Sequence, residues 1–396
     1  MPWEEKGLAQ MREEFVARVQ SGEKSKAALC REYGITRRTG DKWLARFRSG
    51  ESLEDRSRSP FHTPNKTDVE LERRIVEYRR EHPGIGASKI HCILQRDEHI
   101  TVPSVKTVNN ILKRNGLILP EDSRAATPHQ RYEKDYPNEM WQADYKGDFL
   151  MEDRNRCHPL NIIDDCTRFN ICCKAMSTET FEEIKPVMIA LFREYGMPFS
   201  LLCDNGNPWG TAQSTGYTRF EVWLMELGIL TLHGRALHPQ TQGKDESFNR
   251  SMTKELLRYR KFADMEDAEE SFRRYRDFYN KERPHMAINM EVPAARYSPS
   301  ERAYPETIGA WEYPNGCELR RVRSSGYFNL CGNGYFLSEA FGEKEIAVSR
   351  SQEDKCCDLY FRQFHIGRIN TEKRVFTFKR AYLIEEDPRT ADRKPR

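Results

Sequence analysis

The sequence predicts a multidomain α/β chain, with two helical units in front, a mixed-sheet α/β domain in the middle and a small β-barrel behind. Three observations lead there. Apolar residues recur at helical spacing within 9–49 and 67–118. Strand-like runs begin at 139 and then alternate with helices. Beyond about 299 only short alternating runs remain. A chain of 396 residues has room for two to four domains.

Residues 9–49 read as three short helices. In "SKAALCREYGITRRTGDKWLARFRSG", Ser25 caps one helix, Gly34 makes a tight turn around Ile35, and Thr36 caps the next. Trp43, Leu44 and Phe47 form its apolar stripe. This is a helix-turn-helix pattern over 1–50. Arg37, Arg38, Thr39 and Lys42 open its second helix, where base and phosphate contacts are made in such units. Residues 51–66 form a linker without periodicity. A second, winged-helix-like unit spans 67–118, with Ser104 capping its last helix and Lys106 near that helix's start. Another polar linker covers 119–137.

In the middle domain, 138–298, "MWQADYKGDFL", "HPLNIIDDCTRF" and "NICCKAMS" read as three successive strands. "TETFEEIKPVMIALFREYG" is a helix with Thr178 as cap, and "PFSLLCDNG" is a buried strand ending in a turn. "TRFEVWLMELG" is a helix, "ILTLHG" a strand, and long helices follow to about 283. A linker over 299–316 leads to the barrel, 317–385, whose first two runs flank "CGNG". Residues 386–396 read as a disordered tail.

Composition narrows the function classes. Charged residues make up 32% and mean hydropathy is −0.82. No run approaches the roughly 18 apolar residues of a membrane span, so no membrane partner is expected. The start, "MPWEEKGLAQMREEF", is acidic where a signal peptide needs basic and then apolar residues. The expected location is the cytoplasm, with nucleoid association if the source is bacterial. Eleven cysteines without a CxxC read as buried, reduced thiols, and His and Cys lack zinc-ligand spacing. Lys and Arg outnumber Asp and Glu by 26 to 21 before residue 138, fall behind by 21 to 25 over 138–298, and lead by 17 to 15 beyond. A basic front and back around an acidic middle suits DNA-binding modules flanking a carboxylate site.

Three acids stand out in the middle domain. On a strand, Gln142, Asp144, Lys146 and Asp148 share one face, and Ala143 and Tyr145 take the other. Asp204 ends an apolar run, at the strand edge where open α/β sheets bind ligands. In "HPQTQGKDESFNR", a helix from about Gln242 puts Gln242, Glu246, Arg250 and Lys254 along one polar face. Phe248, Met252, Leu256 and Tyr259 then form the buried face, towards which Asp245 points unless it lies in the first turn and faces the helix-start amides, and the helix-start reading is preferred. Carboxylates brought together repel unless a cation separates them. Two Mg²⁺ ions, or Mn²⁺ as a substitute, would do so and would suit in-line phosphoryl transfer.

"WQADYKG", "IIDDCTRF", "CDNG", "HPQTQGKDESFNR" and "YNKERPH" occur in one order that closely resembles, over about 138–298, the DDE transposases of bacterial insertion sequences. These belong to the retroviral-integrase-like superfamily. The resemblance implies a ribonuclease-H-like core with Asp144, Asp204 and Glu246 as catalytic metal ligands. It implies attack on a phosphodiester by water and then by a DNA 3′-hydroxyl, without a covalent enzyme intermediate. With position, it makes Gln242, Lys244, Arg250 and Lys254 candidates for gripping DNA. Asn205 and His238 flank the site and orient ligands or DNA, though His238, before a proline, reads equally as structural. Arg283 meets either a phosphate or a carboxylate. Forty-one residues separate Asp204 from Glu246, more than is common in that superfamily, and the extra length falls in "NPWGTAQSTGY". An acid, Asp245, also stands where relatives often carry an apolar residue.

The expected function is therefore a transposase. It binds the terminal inverted repeats of a mobile element, cleaves 3′ ends and transfers strands into target DNA. The expected partners are double-stranded DNA and further copies of the chain, as a dimer or tetramer. The alternative is a domesticated transposase acting as a DNA-binding regulator without catalysis.

Overall fold

The computed structural model describes residues 7–55, 66–97, 100–119, 133–210, 216–234, 243–350 and 355–383. They form two compact units, one up to residue 66 and one from residue 67.

The first unit holds α1 (Leu8–Gln20), α2 (Lys26–Glu32) and α3 (Arg37–Arg48). Ser25 and Thr36 cap α2 and α3 through their hydroxyls, as expected, and Gly34 takes φ +63° in the turn between them. Phe15, Val16, Leu29, Cys30, Trp43 and Leu44 build the core. Phe47 does not join it and is 45% exposed. Gly40 takes its place in the stripe, because α3 crosses close to Cys30 and Phe15. A Cβ on Gly40 would lie 2.7 Å from Cys30 Sγ and 3.0 Å from Phe15 Cζ.

The second unit begins with α4 (Val69–Glu81), α5 (Ala87–Asp97) and α6 (Val105–Arg114), the last capped by Ser104. Among the described residues of 67–118 there is no strand, so the expected wing is absent there. These helices lean on the core domain. His82 stacks between Tyr78 and Phe278, and Gly84, at φ +87°, lies against the Lys254 carbonyl with no room for a side chain.

The core sheet contains β1 (Met140–Tyr145), β2 (Phe149–Leu150), β3 (Arg156–Asp164), β4 (Asn170–Met176), β5 (Ser200–Cys203) and β6 (Leu230–His233). Its order is β2-β3-β1-β5-β6, with β4 on the other side of β3. β1, β3 and β4 pair antiparallel, and β1, β5 and β6 pair parallel. α7 (Phe181–Tyr195) and α8 (Arg219–Glu226) run between these strands, and α9 (Gly243–Met252) and α10 (Met265–Lys281) follow β6. The N-cap of α7 is Thr180 rather than Thr178. The carboxylate of Glu183 accepts bonds from Thr178 N and Ser177 Oγ, which draws those residues into the approach to the helix.

Strand alternation sorts the two faces. Trp141, Ala143, Leu160 and Ile162 pack against Met188 and Phe192 of α7 and Phe220 and Trp223 of α8. The opposite face carries Gln142, Asp144 and Asn161, and further along Ile163 and Cys173, towards α9 and α10. Residues 297–308 strap the first face. Tyr297 stacks on Phe169 at 4.2 Å, and Ser300 N donates to the Tyr195 carbonyl.

The C-terminal strands are β7 (Glu318–Arg321), β8 (Tyr327–Leu330), β9 (Asn333–Phe336), β10 (Glu345–Arg350), β11 (Cys356–Phe361), β12 (Phe364–Asn370) and β13 (Val375–Leu383). They do not close into the expected small barrel. Five form an open antiparallel sheet in the order β13-β12-β11-β10-β7, and β8-β9 is a separate hairpin. Closure fails because β7 pairs only with β10 and β13 only with β12 among the described residues. The hairpin turn uses Cys331 and Gly332, both at positive φ, the geometry that matches strand twist. All eleven cysteines are free thiols, and no helix among the described residues is long and apolar enough to cross a membrane.

Gly40→Ala is expected to destabilise the first unit by about 1–3 kcal/mol through overpacking. Thermal unfolding of the full chain would show an earlier transition for that unit and an unchanged one for the rest.

Candidate active site

The site follows from one register. β1 and β5 are parallel neighbours with Gln142 opposite Leu202. Two residues further along the chain stand Asp144, still within β1, and Asp204, one residue past the end of β5. Both line a cavity of about 350 Å³, together with Tyr145, Glu179, Asn207 and the buried Trp209. Burial first, and the charge of Asp204 second, push the Asp144 carboxyl up to about 6. Two acids sharing a low-dielectric space repel unless a cation separates them.

Asp204 lies just beyond β5, so a turn holds it rather than the sheet ladder. Its Oδ1 accepts from Gly206 N at 3.0 Å, and its carbonyl accepts from His233 Nδ1 at 2.7 Å. Asp144 is held from α9, where Asn249 Nδ2 donates to its Oδ2 at 3.0 Å and Asn249 Oδ1 accepts from Asn161 at 2.7 Å. Sequence reading passed over Asn249. The signal was its spacing, four residues after Asp245 on the helix face that meets β1 and β3. Glu179 was also missed. It lines the cavity and bonds His158 Nδ1 at 2.8 Å, with no spacing in the sequence to mark it.

Glu246 is exposed on α9 and does not line the cavity. Among the described residues, no group of three or more His, Cys, Asp and Glu side chains is placed to hold a metal ion. The pair Asp144 and Asp204 does fit a divalent cation, as hard oxygen donors that repel when empty. Asp245 lies in the first turn of α9, yet it turns inward instead of facing the helix-start amides, against the preferred reading. It is 1% exposed, and neither carboxylate oxygen has a hydrogen-bond partner. Burial, then the charges of Asp144 and Asp165, push its carboxyl well above the ordinary range.

The remaining candidates scatter. The Lys244 ammonium pairs with the buried Asp165, which also accepts from Gln142, so it is engaged inside the fold rather than offered to DNA. Asn205 donates to the Gly234 carbonyl at 3.1 Å. Arg250 is exposed one turn beyond Glu246. Lys254 is exposed too, but Thr253–Leu257 form a π-helical stretch that breaks the α spacing assumed for that face. The same shift leaves Tyr259, expected to be buried, 45% exposed. Gln242 and His238 lie outside the described residues. Arg37, Arg38, Lys42 and Lys106 are exposed, and the Thr39 hydroxyl is bonded to Thr36. Arg283 meets a carboxylate. It is 4% exposed and doubly bonded to Glu255 at 2.8 Å. Asp164 accepts from Asn138 and Thr167 and closes the turn after β3.

Comparison with known proteins gives a consistent order. A helix-turn-helix domain model matches residues 11–61, a homeodomain-like domain model 39–112, and an integrase core domain model 227–293. A 31.7 kDa protein of insertion element IS407 from Burkholderia multivorans is 25% identical over 274 residues, covering 65% of this chain and 91% of that one. The transposase InsD of insertion element IS2 from Escherichia coli is 24% identical over 277 residues, covering 65% and 83%. The chain matches helix-turn-helix and integrase-core domain models and is similar, over 65% of its length, to proteins of bacterial insertion elements that include a transposase. The integrase-core match includes Glu246 and "YNKERPH" but begins after both aspartates. Among solved structures, the magnesium-bound catalytic core domain of HTLV-2 integrase shares 15% identity, covers 41% of this chain and 97% of its own, and has a TM-score of 0.31. A chain of the simian T-cell lymphotropic virus intasome shares 13%, covers 78% and 97%, and scores 0.35. Likeness at these scores carries no weight for fold or function.

Because the folded chain binds the Asp144 proton more tightly than the unfolded chain, the associated stability is complete below about pH 4. It is lost as pH rises through about 6. Asp144→Asn removes that loss. In metal-free buffer its stability relative to wild type should improve by about 1–3 kcal/mol between pH 4 and pH 7.5. Denaturant unfolding at the two pH values measures this, and a pH-independent difference would contradict it.

Proposed function

We propose that this protein is a transposase, which binds the terminal inverted repeats of a mobile element, cleaves its 3′ ends and transfers them into target DNA. The observation that carries the reading is the side-by-side placement of Asp144 and Asp204 at the carboxyl ends of parallel strands, lining one cavity. Asp144 and Asp204 would hold the metal, Mg²⁺ or Mn²⁺ in its place, as one ion or two. Glu246 is assigned as third ligand by its place in the order of motifs, and its helix is anchored to Asp144 through Asn249. The chemistry supplied by the bound metal is stabilisation of the attacking and leaving oxygens of an in-line displacement.

In the first step water attacks a phosphodiester at the element's end and frees its 3′-hydroxyl. In the second, that hydroxyl attacks a target phosphodiester, forming one ester bond and releasing a target 3′-hydroxyl. The turn-held Asp204 and the Asn249-held Asp144 keep their carboxylates in fixed positions through both steps. Exposed Arg37, Arg38, Lys42, Lys106 and Arg250 supply cations for DNA. Joining two ends calls for more than one copy, as a dimer or tetramer on DNA.

Asp204→Asn should leave binding to an element-end duplex intact. It should lower joining in Mg²⁺ by at least about 100-fold, about 2.7 kcal/mol of barrier. The assay is the appearance of labelled products longer than the input strand. Wild-type protein that binds the end yet never nicks it, in Mg²⁺ or Mn²⁺, would overturn the catalytic reading in favour of a DNA-binding regulator.

A further inference from the structure

Behind the Asp204 turn lies a buried pair that the proposed chemistry does not use. β6 runs parallel to β5 with His233 in register with Cys203, one residue before Asp204. The side chains of His233 and Glu221 are 2% and 9% exposed. His233 Nδ1 lies 2.7 Å from the Asp204 carbonyl oxygen. A carbonyl only accepts, so Nδ1 carries a proton. On the ring's other side, Nε2 lies 2.9 Å from Glu221 Oε1. Glu221 is itself held. Its Oε2 accepts from Thr218 N at 2.7 Å, and the Thr218 hydroxyl accepts from Glu221 N, closing a capping box at the start of α8. The ring is also covered from the turn, where a Cβ on Gly210 would lie 2.9 Å from its Cε1.

Burying a polar pair is costly where an apolar side chain would fill the space. What this pair does that an apolar side chain cannot is bond the main chain of Asp204. Asp204 stands past the last residue of β5: Gly234 N donates to the Cys203 carbonyl before it, and the His233 ring is what bonds its own carbonyl. We propose that His233 is a positioning residue for Asp204, oriented by Glu221. The ring holds the Asp204 carbonyl, and with it the direction in which the carboxylate enters the cavity. This inference rests on the reading of Asp204 as a metal ligand. Partners that orient metal-binding side chains are typically worth about 10–100-fold in metal affinity.

The test is Mn²⁺ binding by the full-length chain without DNA, read from the electron paramagnetic resonance signal of free Mn²⁺. Element-end binding and thermal unfolding are recorded for the same variants. Asn places an amide nitrogen where His carries Nδ1, whereas Leu removes the donor. His233→Leu is expected to weaken Mn²⁺ binding by about 10-fold and His233→Asn by less than about 3-fold, both with unchanged end binding. Glu221→Gln should also stay near wild type. Its oxygen can accept from Thr218 N–H and its amide can donate to Nε2, leaving Nδ1–H on the Asp204 carbonyl. Wild-type affinity in His233→Leu, with Asp204→Asn clearly weakened, overturns the proposal and leaves the reading of Asp204 standing. Wild-type affinity in Asp204→Asn overturns that reading itself. Should His233→Leu fail to fold, Glu221→Leu against Glu221→Gln makes the same comparison. Weakened binding in the first alone supports the proposal, and equal affinities overturn it.

Discussion

The parallel pairing of β1 with β5 is the constraint on which the rest depends. The pairing aligns Gln142 with Leu202, so each strand delivers its aspartate to the same edge. One residue of slippage would turn Asp144 or Asp204 to the wrong face of the sheet. The register is held by burial, since Trp141 and Ala143 point into a core with Phe192 and Phe220 and cannot be exchanged for Gln142 and Asp144. The elevated Asp144 carboxyl is the electrostatic consequence of that packing.

The face towards α9 is built differently. Beneath the carboxylates lies a polar layer in which Asp165 accepts from Gln142, Lys244 and the Lys134 backbone. Asp245 joins this layer through its backbone N–H, which donates to Gln142 Oε1, while its carboxylate oxygens have no partner and its environment favours the neutral form. Lys244 is thereby committed to the fold, while Glu246 and Arg250 on the other side of α9 remain exposed. A one-residue step along a helix, about 100°, separates the buried acid from the exposed one.

α8 joins the core to the C-terminal sheet because it is apolar on two sides. Phe220, Trp223 and Leu224 face the core sheet, and Val222 and Met225 join a cluster with Phe341, Phe361 and Phe364. Tyr217 adds a hydrogen bond to the Ile366 carbonyl and accepts one from Ser338. The long interval between Asp204 and Glu246 therefore carries Tyr217 and α8, which dock the last domain against the core. The same helix holds Glu221, and through it the ring behind Asp204.

Strand alternation and helical spacing were enough to place β1, β3, β4, β5, α7 and α8, because those elements are short and bury one face or all of their surface. Capping by Ser25, Thr36 and Ser104 was equally local, since a hydroxyl reaches backbone amides only three residues away. Helical phase left two orientations open for Asp245, and only the folded chain chose the inward one. Sequence could not decide whether the last strands close into a barrel, because closure depends on which edges meet. It could not anticipate the π-helical stretch after Met252, beyond which Tyr259 is exposed. Nor could it assign Lys244 to Asp165, Arg283 to Glu255, or His233 to the Asp204 carbonyl. Those partners lie 79, 28 and 29 residues apart. Local pattern names the residues that carry charge and those that turn inward. Only the folded chain decides which of them meet, because pairing at that separation is set by sheet order and helix packing rather than by spacing.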